Sequence, residues 1–96
     1  MYYLAFYDIP SAKRLKKAAR LCEQTGLHRI QKSVFLGKLS LKQAEIFREN
    51  ALKWLSSKED KLLMIPVSRD DLSACMNLGV DCGVMDVIQK PAVLFL

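Results

Sequence analysis

The sequence holds one histidine, His28, and three cysteines, Cys22, Cys75 and Cys82. With one histidine, no Ser-His-Asp or Cys-His nucleophile pair can be argued. An odd number of cysteines at irregular spacing is not a disulfide framework. Cys75 and Cys82 lack the CxxC spacing of a zinc site, and Cys22 falls on an apolar helical face, where a buried thiol packs well. The four glycines are scattered, so there is no glycine-rich phosphate loop. No apolar run approaches the ~18 residues a membrane span needs. The N-terminus has no charged leader followed by a small-residue cleavage site. These absences point to a cytoplasmic protein that does not enter a membrane.

Apolar residues make up 51% of the chain, which excludes disorder and leaves a globular domain. At 96 residues there is room for one domain, 1–96, with a core at 1–67 and an appendage at 68–96. A domain this small buries only roughly 60–65% of its unfolded surface. A second copy would enlarge the core, so a homodimer is expected. The net charge is +5, unevenly placed. Residues 1–48 carry ten basic and three acidic side chains (+7), and residues 49–96 carry five and seven (−2). The first half is the one to face a polyanion, although a solvated basic surface would show the same imbalance.

Tyr2–Tyr7 is continuously apolar and aromatic, as in a central strand covered on both faces. Asp8 ends that run, and Pro10 prevents the strand from continuing inside a sheet. Ser11 is a candidate N-cap for a helix over 12–25, with Leu15, Ala18, Ala19 and Cys22 as its buried stripe. Gly26 closes the helix. Strands are expected near 28–32 and 34–39. A second helix is expected over 41–56, capped by Ser40 and buried through Ala44, Phe47, Ala51 and Trp54. Residues 62–67 form a further strand, with Pro66 at an edge or bulge. This β-α-β-β-α-β order is α+β and ferredoxin-like, with both helices on one face of a four-stranded sheet. The other face needs a cover, most simply a partner subunit. Residues 68–91 are less regular, with a short helix over 70–76, and Ala92–Leu96 is an extra C-terminal strand.

Two readings fit Asp8. Its oxygens could cap the following turn. Alternatively it is a metal ligand: magnesium takes one or two carboxylates and keeps several waters, and a two-fold axis would supply a second copy. Lys13 and Arg14 stand in the first helical turn, where the macrodipole disfavours cations by ~0.3–1 kcal/mol each. That placement suits phosphate binding, Lys17 lies on the same polar side, and a lysine-rich solvated face is the alternative. Arg29, Gln31 and Ser33 alternate along a strand and are expected to share one face, as a phosphate-contacting row or as an exposed edge. His28 lies on the opposite face. The aromatic RNP1 run of an RNA-recognition motif is absent.

Tyr7-Asp8-Ile9, Arg14, Gly26-Leu27 and the block Arg29-Ile30-Gln31-Lys32-Ser33-Val34-Phe35 together closely resemble the CRISPR-associated protein two family, over roughly residues 1–67. The resemblance implies a ferredoxin-like homodimer whose sheets face each other, with the C-terminal strand joining the partner's sheet. It implies that Asp8 is the catalytic residue and ligand of a shared Mg2+ ion in an endonuclease acting on RNA or duplex DNA. It also implies a bridging role between integrase dimers, holding the protospacer duplex during spacer acquisition. The same resemblance places Arg14, Arg29 and Ser33 near the site or the nucleic-acid face. Pro10 departs from many relatives, and residues 68–91 fit the family poorly. A stand-alone toxin-type ribonuclease of the same fold is the alternative.

Overall fold

The computed structural model describes residues 1–89. Their order is β1 (Tyr2–Asp8), α1 (Ala12–Thr25), β2 (His28–Gln31), β3 (Val34–Lys38), α2 (Leu41–Leu52), β4 (Lys61–Val67), α3 (Arg69–Ser73) and α4 (Val84–Gln89). The strands form one antiparallel sheet in the order β2-β3-β1-β4, the ferredoxin-like arrangement. The expected strand Ala92–Leu96 lies outside the described residues.

Local chemistry sets the helix ends. The Ser11 hydroxyl accepts from the Arg14 amide at 3.3 Å. Gly26 adopts φ 102°, and the amides of Gly26 and Leu27 reach back to the carbonyls of Glu23 and Cys22 at 3.1 and 3.0 Å. This is a left-handed glycine stop that satisfies the last carbonyls of α1. α2 begins with a reciprocal capping box. The Gln43 amide donates to Ser40 Oγ at 3.1 Å, and the Ser40 amide donates to Gln43 Oε1 at 2.8 Å.

α2 stops at Leu52, short of the expected boundary at 56. The Leu55 amide still reaches the Ala51 carbonyl at 2.9 Å, but the chain then turns and closes a loop between Ser56 and Asp60. Trp54 and Leu55 pack on the core from outside the helix. The apolar spacing therefore outlasts the helix that it resembles.

Two apolar clusters flank the sheet. On the inner side, Ala5, Tyr7, Ile9 and Phe35 meet Ala18 and Cys22 of α1 and Phe47 of α2. On the outer side, Leu36 meets Leu72 of α3 and Ile88 of α4, with Tyr2, Leu4, Ile30 and Val67 packed around them. The expectation that a partner covers the outer face is thus corrected in part: residues 68–89 of the same chain cover one end of it. The short helix there is Arg69–Ser73 rather than 70–76, and α4 was not expected from the sequence. The other end stays open, with Leu63 57% and Ile65 37% exposed.

Gly37 on β3 faces inward beneath the α1–β2 link. A Cβ there would lie 2.9 Å from Leu27 Cδ2 and 3.1 Å from the Gly26 carbonyl oxygen. Gly37→Ala should lower the unfolding free energy by about 1–3 kcal/mol, the usual result of overpacking. A fall in the urea midpoint at constant slope would show it; an unchanged midpoint would mean that the link yields freely.

Candidate functional site

The alternation of β1 decides where Asp8 points. Tyr3, Ala5 and Tyr7 enter the inner cluster, whereas Tyr2 and Leu4 enter the outer one. A period of two therefore places Asp8 on the outer side, at the open end, and the residue is exposed. Ser11 caps α1, so the helix start does not require Asp8. Directly across from Asp8 in β4 stands Lys61. Just inside that pair, Val34, Phe6 and Leu63 lie in register across β3, β1 and β4.

Arg14 turns the other way. Its Nε donates to Asp60 Oδ2 at 2.7 Å, and its Nη2 donates to Asp60 Oδ1 at 3.2 Å and Glu59 Oε2 at 3.1 Å. Asp60 Oδ2 also accepts from the Ser56 amide at 2.9 Å. Solvent does not reach the Asp60 side chain, although the residue as a whole is only half-buried. The structure thus corrects the reading of Arg14 as a free phosphate contact, because its fork is occupied within the chain. The same acids offset the unfavourable position of a cation in the first turn of α1.

Lys13 and Lys17 remain exposed and share a stripe of α1 with Lys16 and Arg20. Of the residues expected to form one row on β2, the register separates two. Arg29 stands opposite Phe35, and Gln31 stands opposite Val34, with an irregularity between them. Val34 and Phe35 point to opposite faces, so Arg29 and Gln31 do too, which corrects the expectation of a shared face. Ser33 leaves the strand altogether and sits in the turn at φ 63°. A bulge adds a residue without changing the polar-apolar spelling of the sequence, and so it escaped the sequence reading.

Arg29 lies over the Phe35 ring, 5.1 Å from its centroid, and Phe35 stacks on Tyr7 at 6.2 Å. Burial pushes the Tyr7 phenol above its ordinary value, helped by Cys22 and opposed by Arg29 and Ser33. Burial also pushes the Cys22 thiol up to about 12, so this cysteine stays protonated and inert at neutral pH. Gln31 Oε1 meets Cys82 Sγ at 3.6 Å on the outer side. Asp8 thus faces the outer side of the sheet, whereas the α1 stripe belongs to a helix packed on the inner side. Lys61 was missed because only the β1–β4 register reveals it.

Among the described residues, no group of three His, Cys, Asp or Glu is placed to hold a metal. At the open end of β1, one chain offers magnesium the exposed carboxylate of Asp8. That suits the ion only where water, substrate phosphate or a second copy of the chain completes the shell.

Residues 1–74 match the family described as CRISPR associated protein Cas2. The chain belongs to the Cas2 family. It is 33% identical over 96 residues to a Synechocystis protein named CRISPR-associated endoribonuclease Cas2 2, covering 99% of this chain and 98% of that one. It is 27% identical over 95 residues to the CRISPR-associated endoribonuclease Cas2 of Desulforudis audaxviator, covering 99% and 90%. Among solved structures, a hypothetical protein from Thermus thermophilus superposes with TM-score 0.72 at 32% identity, over 83% of this chain and 92% of that one. Streptococcus pyogenes Cas2 superposes at 0.73 and 24% identity, over 82% and 100%, and supports the fold. The Cas2 match includes Asp8, Lys61 and α3 and ends before α4. No described helix is long and apolar enough to cross a membrane.

The Arg14 hydrogen bond, then the Ser56 amide and the Arg14 charge, hold the Asp60 carboxyl below its ordinary value against the effect of burial. A lowered folded value means that this contribution to stability is fully present above the ordinary aspartate range. It is lost as the pH falls through the lower folded value. Urea midpoints followed from neutral into acid should fall more steeply for the wild type than for Asp60→Asn, which should already be less stable at neutral pH. Parallel profiles would show that the pair is not linked to folding.

Proposed function

We propose that this chain is a nucleic-acid-binding subunit of CRISPR spacer acquisition, acting as a homodimer that bridges integrase dimers. We further propose that it is a magnesium-dependent endonuclease on RNA or duplex DNA. The observation that carries this reading is the Cas2 match over residues 1–74, which includes Asp8 at the exposed, open end of β1. Support for the nuclease part comes from relatives named endoribonucleases. Asp8 would hold the ion, with its counterpart in a second copy. When bound, magnesium supplies a water of lowered pKa and a positive charge toward a phosphodiester oxygen. The residues of the chain do the rest. Lys13 and Lys17 give the α1 face positive charge for phosphates, and Arg14, tied to Asp60, fixes the start of α1. Arg29 and Gln31 flank the β2 edge on opposite sides, and Ser33 lies in the adjoining turn.

The test compares wild type with Asp8→Ala on RNA and on duplex DNA, with magnesium and with chelator. Loss of cleavage by about 10²–10⁴-fold in the variant would place the chemistry at Asp8. Equal cleavage would remove it from the site. Duplex binding should weaken with salt at a slope of about −0.9 per phosphate contacted. Lys13→Ala with Lys17→Ala should flatten that slope by about 2. Co-purification with the integrase checks the bridging role, and its failure together with a flat salt response would defeat it.

A further inference from the structure

We infer that Lys61 is a phosphate-binding residue of the Asp8 site. This rests on the reading of Asp8 as the ligand of a divalent cation. The first support is register: Asp8 and Lys61 are direct partners across an antiparallel strand pair. Such partners share a face, with Cβ atoms about 4.5–5.5 Å apart, and a lysine stem is long enough to extend past its neighbour. The second is availability. Both residues are exposed, and among the described residues the ion pairs join Arg14 to Glu59 and Asp60 and none engages Lys61.

The third support is anchoring. The residue before Lys61 is Asp60, whose carboxylate is held at once by Arg14 and by the Ser56 amide. The backbone that presents Lys61 is therefore fixed to the start of α1, and the β1 ladder fixes it to Asp8. A lysine on an edge strand ordinarily discourages unwanted strand pairing. Here it also stands where a phosphate approaching a cation on Asp8 would need a second positive charge. Nucleic acid brings that phosphate, and the ammonium would contact its non-bridging oxygens as a point charge.

Two consequences follow for the full chain. Without nucleic acid, the ammonium repels a divalent cation at Asp8. With nucleic acid, it adds one phosphate contact. Water-proton relaxation with manganese as the probe reads the first, and the salt slope of RNA binding in calcium reads the second. Lys61→Ala should bind manganese about 1.5–5-fold more tightly and flatten the salt slope by about 1. Lys61→Arg should keep the wild-type slope. If Asp8→Ala abolishes manganese binding while Lys61→Ala changes neither readout, the role of Lys61 is overturned and the Asp8 reading stands. If Asp8→Ala leaves manganese binding intact, the cation reading fails and the Lys61 inference fails with it. Far-ultraviolet circular dichroism of each variant checks that these exposed substitutions leave the fold in place.

Discussion

β1 is paired along its length on both sides, to β3 from Tyr2 to Phe6 and to β4 from Tyr2 to Asp8. Everything else is arranged around that double pairing. A strand held on two edges cannot slip by one residue without turning each of its side chains to the wrong face. Ala5 and Tyr7 would leave the inner core, and Leu4 would leave the outer one. The same alternation that seals both cores fixes Asp8 on the outer side. The β4 ladder also runs two residues further than the β3 ladder, to the Asp8–Lys61 pair. The facing of the candidate site is thus a by-product of the pairing of β1, although Asp8 itself is held by the β4 ladder alone.

Arg14, which the sequence offered beside Lys13 as a phosphate contact, is engaged by acids of its own chain in the structure. Arg14 stands in the first turn of α1, where a positive charge is unfavourable, and it is matched by Glu59 and Asp60 from the loop after α2. Its bidentate hold on Asp60 joins α1 to the strand that carries Lys61. Because the Asp60 side chain is shut off from solvent, removing Arg14 would leave a carboxylate with only the Ser56 amide to compensate it. The pair is best understood as a tie between elements. The exposed charge open to a polyanion includes Lys13, Lys16, Lys17 and Arg20 on α1 and Lys61 on β4.

What could be read from the sequence, and what could not, follows the range of the interactions involved. Ser11, Gly26 and Ser40 act within four residues of their partners, and each marks a helix boundary that the structure keeps. The end of α2 depends on Asp60 accepting from Ser56, which competes with further helix, so the apolar spacing of Ala51 and Trp54 misled. The β2 bulge changes facing without changing the order of polar and apolar residues. α4 holds its place through Ile88 and Val87 against an outer face built from residues at the other end of the chain. Its six residues have little intrinsic signal. Asp8 was visible as a charge ending an apolar run. Lys61 was not, because a pairing over 53 positions of sequence is a property of the sheet alone.

The surroundings of Asp8 constrain what can approach it. α3 and α4 cover the end of the outer face near Tyr2 and Leu36 and leave Phe6 and Leu63, next along the sheet from Asp8 and Lys61, with partial cover. An apolar partner seated on that surface would gain roughly 25 cal/mol for each Å² of apolar area removed from water. It would also strip water from Asp8, and an unpaired carboxylate moved out of water costs several kcal/mol. The two effects have the same source and opposite sign. Any partner that closes over this end must therefore bring compensation for Asp8, or leave a wet channel to it. A cation would supply that compensation, and so would the ammonium of Lys61 if it closed on Asp8. With a divalent cation and the Lys61 ammonium both present, the site would carry a net charge of about +2, which each nucleic-acid phosphate would lower by one.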